Sequence, residues 1–374
     1  MKIGILTLPF NNNYGGYLQS YALMTVLKDE GHIVELIYRR HNRRPLSVRV
    51  KYFIKSLIKI MLGRPHFSIF MDQECDLRRR GINMMSFVDS KIFPKTRPLY
   101  STKELIQECS NKYDVVIVGS DQVWRPEYVP NVENFFFDFV KLSTTRRIAY
   151  AASFGERHPI YTDDQIKECG NLIRNFDFIG LREDSGVEII KEFEWKVNCS
   201  TKVVLDPTML LPKRHYESLF PPTKNVTRYL LTYILDESKD ADHIVSTATS
   251  ILNLPEKRII DSTAWQQPEY KMPSIESWLA GIRYADFVIT DSFHGTVFCI
   301  IFNVPFIVYV NSNRGADRFY SLLRRFGLES RIVNSKNSCL SAITEQIDWK
   351  RVDIILNQEV QSSMHLLLKS ICDK

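Results

Sequence analysis

Short runs of β-branched and aliphatic residues alternate with stretches of helical periodicity along almost the whole chain. That alternation is the signature of βαβ units wound around parallel sheets. In the first half the pattern predicts strands at residues 3–7, 33–38, 115–118, 148–152, 178–181 and 203–205. After the first strand, Leu18, Tyr21, Ala22, Met24 and Leu27 recur at helical spacing until Gly31 stops the helix. Pro207, Pro212, Pro221 and Pro222 then interrupt the rhythm, and strands resume at 229–235, 258–260, 287–290, 306–309 and 332–333. The expected architecture is α/β, with two doubly wound Rossmann-like domains, 1–215 and 216–374, facing a cleft. In such folds ligands sit where loops leave the carboxyl ends of the strands.

Residues 45–62 break the pattern in another way. Lys51, Lys55 and Lys59 form one stripe of a helix, while Val50, Phe53, Ile54, Leu57, Ile58 and Met61 fill the other side. This is either a surface helix packed on its own domain or a docking surface for anionic lipid. Composition changes the picture only here. The net charge is +6, but nine basic residues and no acid lie between Glu35 and Asp72, which leaves the rest of the chain at −3. A general basic coat for nucleic acid is therefore excluded, and no nucleic-acid partner is expected. Seven scattered cysteines with no CxxC pair suit a reducing cytoplasm. The longest apolar run, 297–310, is broken by Asn303 and Pro305 and falls short of the roughly 18 residues a spanning helix needs.

Candidate chemistry lies at strand ends. Asp286–Thr290 leads into Asp291-Ser292-Phe293-His294-Gly295, which places Ser292 as a helix N-cap and His294 in the first helical turn. Amides and the positive helix end there suit a phosphate or carboxylate, and a histidine can donate to it or move a proton. Arg314 and Arg318, one helical turn apart, offer paired guanidinium forks for the same anion. In the first domain, Gly119-Ser120-Asp121-Gln122-Val123-Trp124 combines small residues, a carboxylate and an aromatic face that could hold a sugar ring. Asp121 could take a proton from a sugar hydroxyl, with Ser120, Gln122 and Trp124 around the sugar. Gly15 and Gly16 would let backbone approach a ligand closely, Arg182 is a further strand-end cation beside Glu183, and Asp206-Pro207 reads as structural. GxxxxGK[ST], HExxH and GxSxG motifs are absent, and no acid or histidine spacing suggests a metal.

Taken together, Gly15-Gly16, GSDQVW at 119–124, SFG at 153–155, LRE at 181–183, LDPT at 205–208, TDSFHG at 290–295 and RGADRF at 314–319 resemble the polysaccharide pyruvyl transferase family. The resemblance implies a GT-B-like two-domain fold, with the acceptor on the first domain and the donor on the second. It implies phosphoenolpyruvate as donor substrate, no cofactor or metal, and a sugar hydroxyl pair as acceptor. The product would be a pyruvate ketal on a capsular, exopolysaccharide or cell-wall glycan, the acceptor often being linked to polyprenyl diphosphate. By position, His294 corresponds to the family's essential histidine and Arg182 to an arginine that contacts the donor. Members of one branch carry an arginine where this chain has Ser292, so another cation, Arg314 or Arg318, has to replace it. The rival readings are a nucleotide-sugar glycosyltransferase of the same architecture and a non-catalytic membrane-surface or RNA-binding protein resting on residues 39–64.

Overall fold

The structure, a computed structural model, describes residues 1–62, 79–141, 144–223, 227–260, 269–310, 315–333 and 336–372. Two parallel sheets organise it. The first contains β1 (Lys2–Leu6), β2 (Ile33–Ile37), β3 (Val115–Val118), β4 (Arg146–Ala152), β5 (Phe178–Leu181) and β6 (Ser200–Val203), in the order β2-β1-β3-β4-β5-β6. The second contains β7 (Leu230–Tyr233), β8 (Glu256–Arg258), β9 (Phe287–Thr290), β10 (Phe306–Tyr309) and β11 (Ile332–Val333), in the order β11-β10-β9-β7-β8. The central strands are apolar on both faces because helices cover both sides, as in β3, where all four residues are buried.

Each sheet reverses its winding direction once, between β1 and β3 in the first and between β7 and β9 in the second. Loops diverge at such points, so a ligand crevice is expected beside them. The loops carrying Asn13–Gly16 and Gly119–Trp124 leave the first switch point, and the loop carrying Ser292 and His294 leaves the second.

Two expectations need correction. The strand expected at 258–260 lies at Glu256–Arg258, an edge strand whose residues are all exposed. The apolar residues that suggested it, Ile259 and Ile260, follow the strand instead. Likewise the strand expected at 203–205 is Ser200–Val203, polar and partly exposed at the other sheet's edge. The helix Trp349–Cys372 returns to the first sheet, where Arg146 Nε donates to Ser370 O (3.0 Å) and the Leu205 amide to Ser363 Oγ (3.0 Å).

The domains are joined by more than this strap. Tyr14 stacks on Trp278 (ring centroids 5.2 Å apart) and donates its hydroxyl to Pro273 O (2.9 Å). One glycine is required by the contact: Gly315 has φ +49° and sits where a Cβ would lie 2.0 Å from Gly155 O. Among the described residues, no helix is long and apolar enough to cross a membrane.

Candidate functional site

The site is built from the loop after β9 inward. Thr290, the last residue of β9, donates its hydroxyl to Tyr233 O (2.7 Å) and accepts from the Ser292 amide (3.0 Å), which fixes the corner. Ser292 Oγ accepts from the Gly295 amide (3.3 Å), capping the helix Phe293–Phe302. The cap predicted at Ser292 is present, and His294 stands in the first turn near the positive helix end. Every residue of that helix is buried, so the histidine is delivered by a rigid element.

His294 meets the other domain directly. A Cβ on Gly15 would lie 1.9 Å from His294 Nδ1, so the ring rests against bare glycine backbone. Its Nε2 lies 3.4 Å from Asp206 Oδ2, close enough for charge pairing but not aligned as a hydrogen bond. The neighbouring Phe293 ring carries the Arg182 guanidinium 4.2 Å from its centroid.

Asp206, expected to be structural, ties these parts together. Its carboxylate accepts from Thr208 Oγ1 (2.7 Å), the Thr208 amide (3.0 Å) and Ser120 Oγ (2.8 Å), and lies 3.6 Å from Arg182 Nη1. Burial alone would raise its pKa, but His294 and Arg182 hold it well below the usual carboxylate range. Arg182 in turn donates to Asp121 Oδ1 (3.3 Å) and has Nε 3.5 Å from Glu183 Oε2. Burial would lower the Arg182 pKa, but Asp121, Glu183 and Asp206 raise it. Glu183 shows the opposite balance: burial raises its pKa above the ordinary value despite Arg182.

Several expected site residues turn out to have other roles. Trp124 is fully buried, stacked on Phe136 (4.8 Å), with Nε1 donating to Phe135 O, so its face belongs to the aromatic core and not to a sugar. Ser120 is fully buried, its amide donating to Gln19 Oε1 (2.8 Å) and its hydroxyl spent on Asp206. Gln122 Oε1 accepts from Arg125 Nη1 (3.3 Å) and fills the space beside Gly155. Gly15 clears room for His294, Gly295 uses its amide on Ser292, and Gly16 is half-exposed with its amide on Asn13 Oδ1. Arg314 lies outside the described residues. Arg318, in the helix Asp317–Phe326, is drawn in beside Arg182, and burial followed by that like charge pushes its pKa down to about 10.

The assembled cluster is sealed rather than open to a cleft: Asp121 is 3%, Arg182 5% and His294 5% exposed. Two guanidiniums face three carboxylates, Asp121, Glu183 and Asp206, so the cluster offers no excess of positive charge. An anion would therefore be held by directed N–H donors more than by net charge. Atoms suited to that are present, since Arg182 Nε and Nη2 and Arg318 Nε have no hydrogen-bond partner among the described residues; Asp121 Oδ2, also unpartnered, is an acceptor. Asp206 and Glu183 were signalled in the sequence by following a strand in a parallel sheet and by lying in the LDPT and LRE motifs, neither of which showed what they would contact.

Residues 13–313 match the family described as polysaccharide pyruvyl transferase. No curated protein sequence matches the chain. Among solved structures, UDP-GlcNAc 2-epimerase from Methanocaldococcus jannaschii is similar at 12% identity and TM-score 0.50, covering 94% of each chain. UDP-GlcNAc 2-epimerase from Neisseria meningitidis follows at 8% and 0.49 over 100% of each, and Medicago truncatula UGT71G1 at 10% and 0.46, over 99% of this chain and 98% of that one. At 12% identity the first of these likenesses speaks for the fold alone, which is GT-B-like.

Proposed function

The chain belongs to the polysaccharide pyruvyl transferase family, and on that premise we propose that the His294–Arg182 cluster transfers the enolpyruvyl group of phosphoenolpyruvate to a sugar hydroxyl pair. The acceptor in this reading is a polyprenyl-diphosphate-linked precursor of a capsular, exopolysaccharide or cell-wall glycan, met at the cytoplasmic face of the membrane. The carrying observation is the meeting of Arg182 from one domain with His294 and Arg318 from the other, with guanidinium donors that make no hydrogen bond among the described residues.

Arg182 and Arg318 bind the phosphate and carboxylate of the donor, Arg318 replacing the cation missing at Ser292. His294 gives a proton to the methylene carbon, which leaves positive charge at the central carbon. A sugar hydroxyl forms a bond to that carbon and gives up its proton to Asp121 through Oδ2. The bond to the phosphate oxygen then breaks, inorganic phosphate departs toward the guanidiniums, and the second hydroxyl closes the ketal, its proton leaving with the phosphate. Asp206 positions both His294 and Arg182. Because the cluster is sealed, the contact of Gly15 with His294 has to open for each donor molecule to be admitted.

Calorimetry tests the reading, with phosphoenolpyruvate titrated into wild type and Arg182→Ala and uridine diphosphate sugars as the control. Binding of phosphoenolpyruvate weakened about 10- to 100-fold by Arg182→Ala is expected. Binding of a nucleotide sugar without phosphoenolpyruvate would instead assign the site to a glycosyltransferase.

A further inference from the structure

The helix Leu46–Met61 exposes the side a packed helix would hide. Only Ser56 is buried, with Phe53 and Ile60 half-buried on the same side, so a narrow seam holds the helix to the molecule. Val50, Ile54, Leu57, Ile58 and Met61 recur at i, i+4, i+7, i+8 and i+11 and form one continuous stripe. Their exposures are 48%, 49%, 38%, 51% and 85%. Eight of the 19 exposed large apolar side chains among the described residues fall between Leu46 and Leu62, which is a patch and not scatter.

Beside this stripe, about a third of the way round the helix, run Lys51, Lys55 and Lys59, all exposed. The helix carries no acid. The basic surface is smaller than the sequence suggested, because Arg39 and Arg40 are buried at 1% and 6% exposure. Arg39 there binds Asn134, Asn42, Leu99 O and Arg40 O. The surface starts at Arg43, and residues 63–64 lie outside the described part.

An exposed apolar stripe flanked by lysines, on a helix without acids, complements one kind of partner better than any other: a bilayer with anionic headgroups. A protein partner could cover the stripe, but the uniform positive flank would then need an acidic rim. The helix also leaves the carboxyl end of β2, the edge strand next to β1, on the side from which the Asn13–Gly16 and Gly119–Trp124 loops emerge. We infer that the helix Leu46–Met61 is a membrane-docking element. It lies in the headgroup layer with Val50, Ile54, Leu57, Ile58 and Met61 inserted and Lys51, Lys55 and Lys59 on lipid phosphates, and it seats the first domain's site loops toward the bilayer. This holds whichever donor the cluster binds.

The test is co-sedimentation of the full chain with phosphatidylglycerol–phosphatidylcholine vesicles and with phosphatidylcholine alone. Wild type is expected to pellet with the anionic vesicles only. Lys51→Glu/Lys55→Glu/Lys59→Glu should lower the partition coefficient on the order of a hundredfold. Ile54→Ser/Ile58→Ser should lower it about tenfold or more, with circular dichroism and melting temperature unchanged in both variants. Wild type remaining in the supernatant, or binding indifferent to the lysine reversals, overturns the inference. So does a dimer by light scattering that dissociates in Ile54→Ser/Ile58→Ser without any vesicle binding, since a second copy would then cover the stripe.

Discussion

The cluster around Arg182 and the helix Leu46–Met61 break the usual partition of side chains in opposite directions. The first buries three carboxylates, an arginine and a histidine, with Arg318 half-buried beside them, and the second leaves isoleucine, leucine and methionine in water. Neither arrangement serves stability. Buried charges cost desolvation that a hydrophobic replacement would avoid, and an exposed apolar stripe forgoes burial that ordinary helix packing would provide. The comparison separates two kinds of site. The buried one is held by partners within the chain, so removing any member should propagate. The exposed one is held by almost nothing, so its residues should be individually dispensable for folding.

The sharpest break of that contrast is His294→Ala. If this residue is the proton donor, phosphate release from phosphoenolpyruvate with a lipid-linked glycan as acceptor falls by about 10²–10⁴-fold. Next comes Asp206→Ala, which leaves Arg182 and His294 without their shared carboxylate and should destabilise the fold by about 3–5 kcal/mol in denaturant unfolding. Asp206→Asn sharpens this through pH. The folded pKa is depressed, so the carboxylate's contribution is present in full above the unfolded value of about 3.9 and is lost as pH falls below it. The melting-temperature gap between wild type and Asp206→Asn should stay constant from about pH 7 to 5 and narrow below about pH 4. Gly15→Ala puts a Cβ 1.9 Å from His294 Nδ1 and should lower turnover about 100-fold. Gly16→Ala, whose Cβ meets nothing nearer than Asn13 at 3.7 Å, leaves the His294 ring in place. The smallest effect belongs to the other region: Ile54→Ser should change unfolding stability by no more than about 0.5 kcal/mol.

The sequence was most legible where burial is two-sided. Val115–Val118, Phe178–Leu181, Phe287–Thr290 and Phe306–Tyr309 stand as continuous apolar runs and are strands at the predicted residues. It was least legible at sheet edges, where Glu256-Lys257-Arg258 forms a strand through backbone pairing with β7 and carries no hydrophobic mark. The His294 corner could be read because its cap chemistry is local. Asp206 could not, because its meaning comes from Ser120, Arg182 and His294, far away along the chain and close only once both sheets are formed. Trp124 misled for the complementary reason: an aromatic beside small polar residues looks the same whether it faces a ligand or, as here, Phe136 and Phe154. For the helix Leu46–Met61 the amphipathic pattern was plain, but which part of the broad apolar side would meet water was not, since Phe53 and Ile60 at its edge pack inward while Val50, Ile54, Leu57, Ile58 and Met61 are left exposed.

A crystal structure of the wild-type protein with phosphoenolpyruvate bound tests the central claim most directly. The donor's phosphate and carboxylate are expected on Arg182 and Arg318, with its methylene carbon beside His294. A ligand held elsewhere, with neither guanidinium within hydrogen-bonding reach, would contradict it.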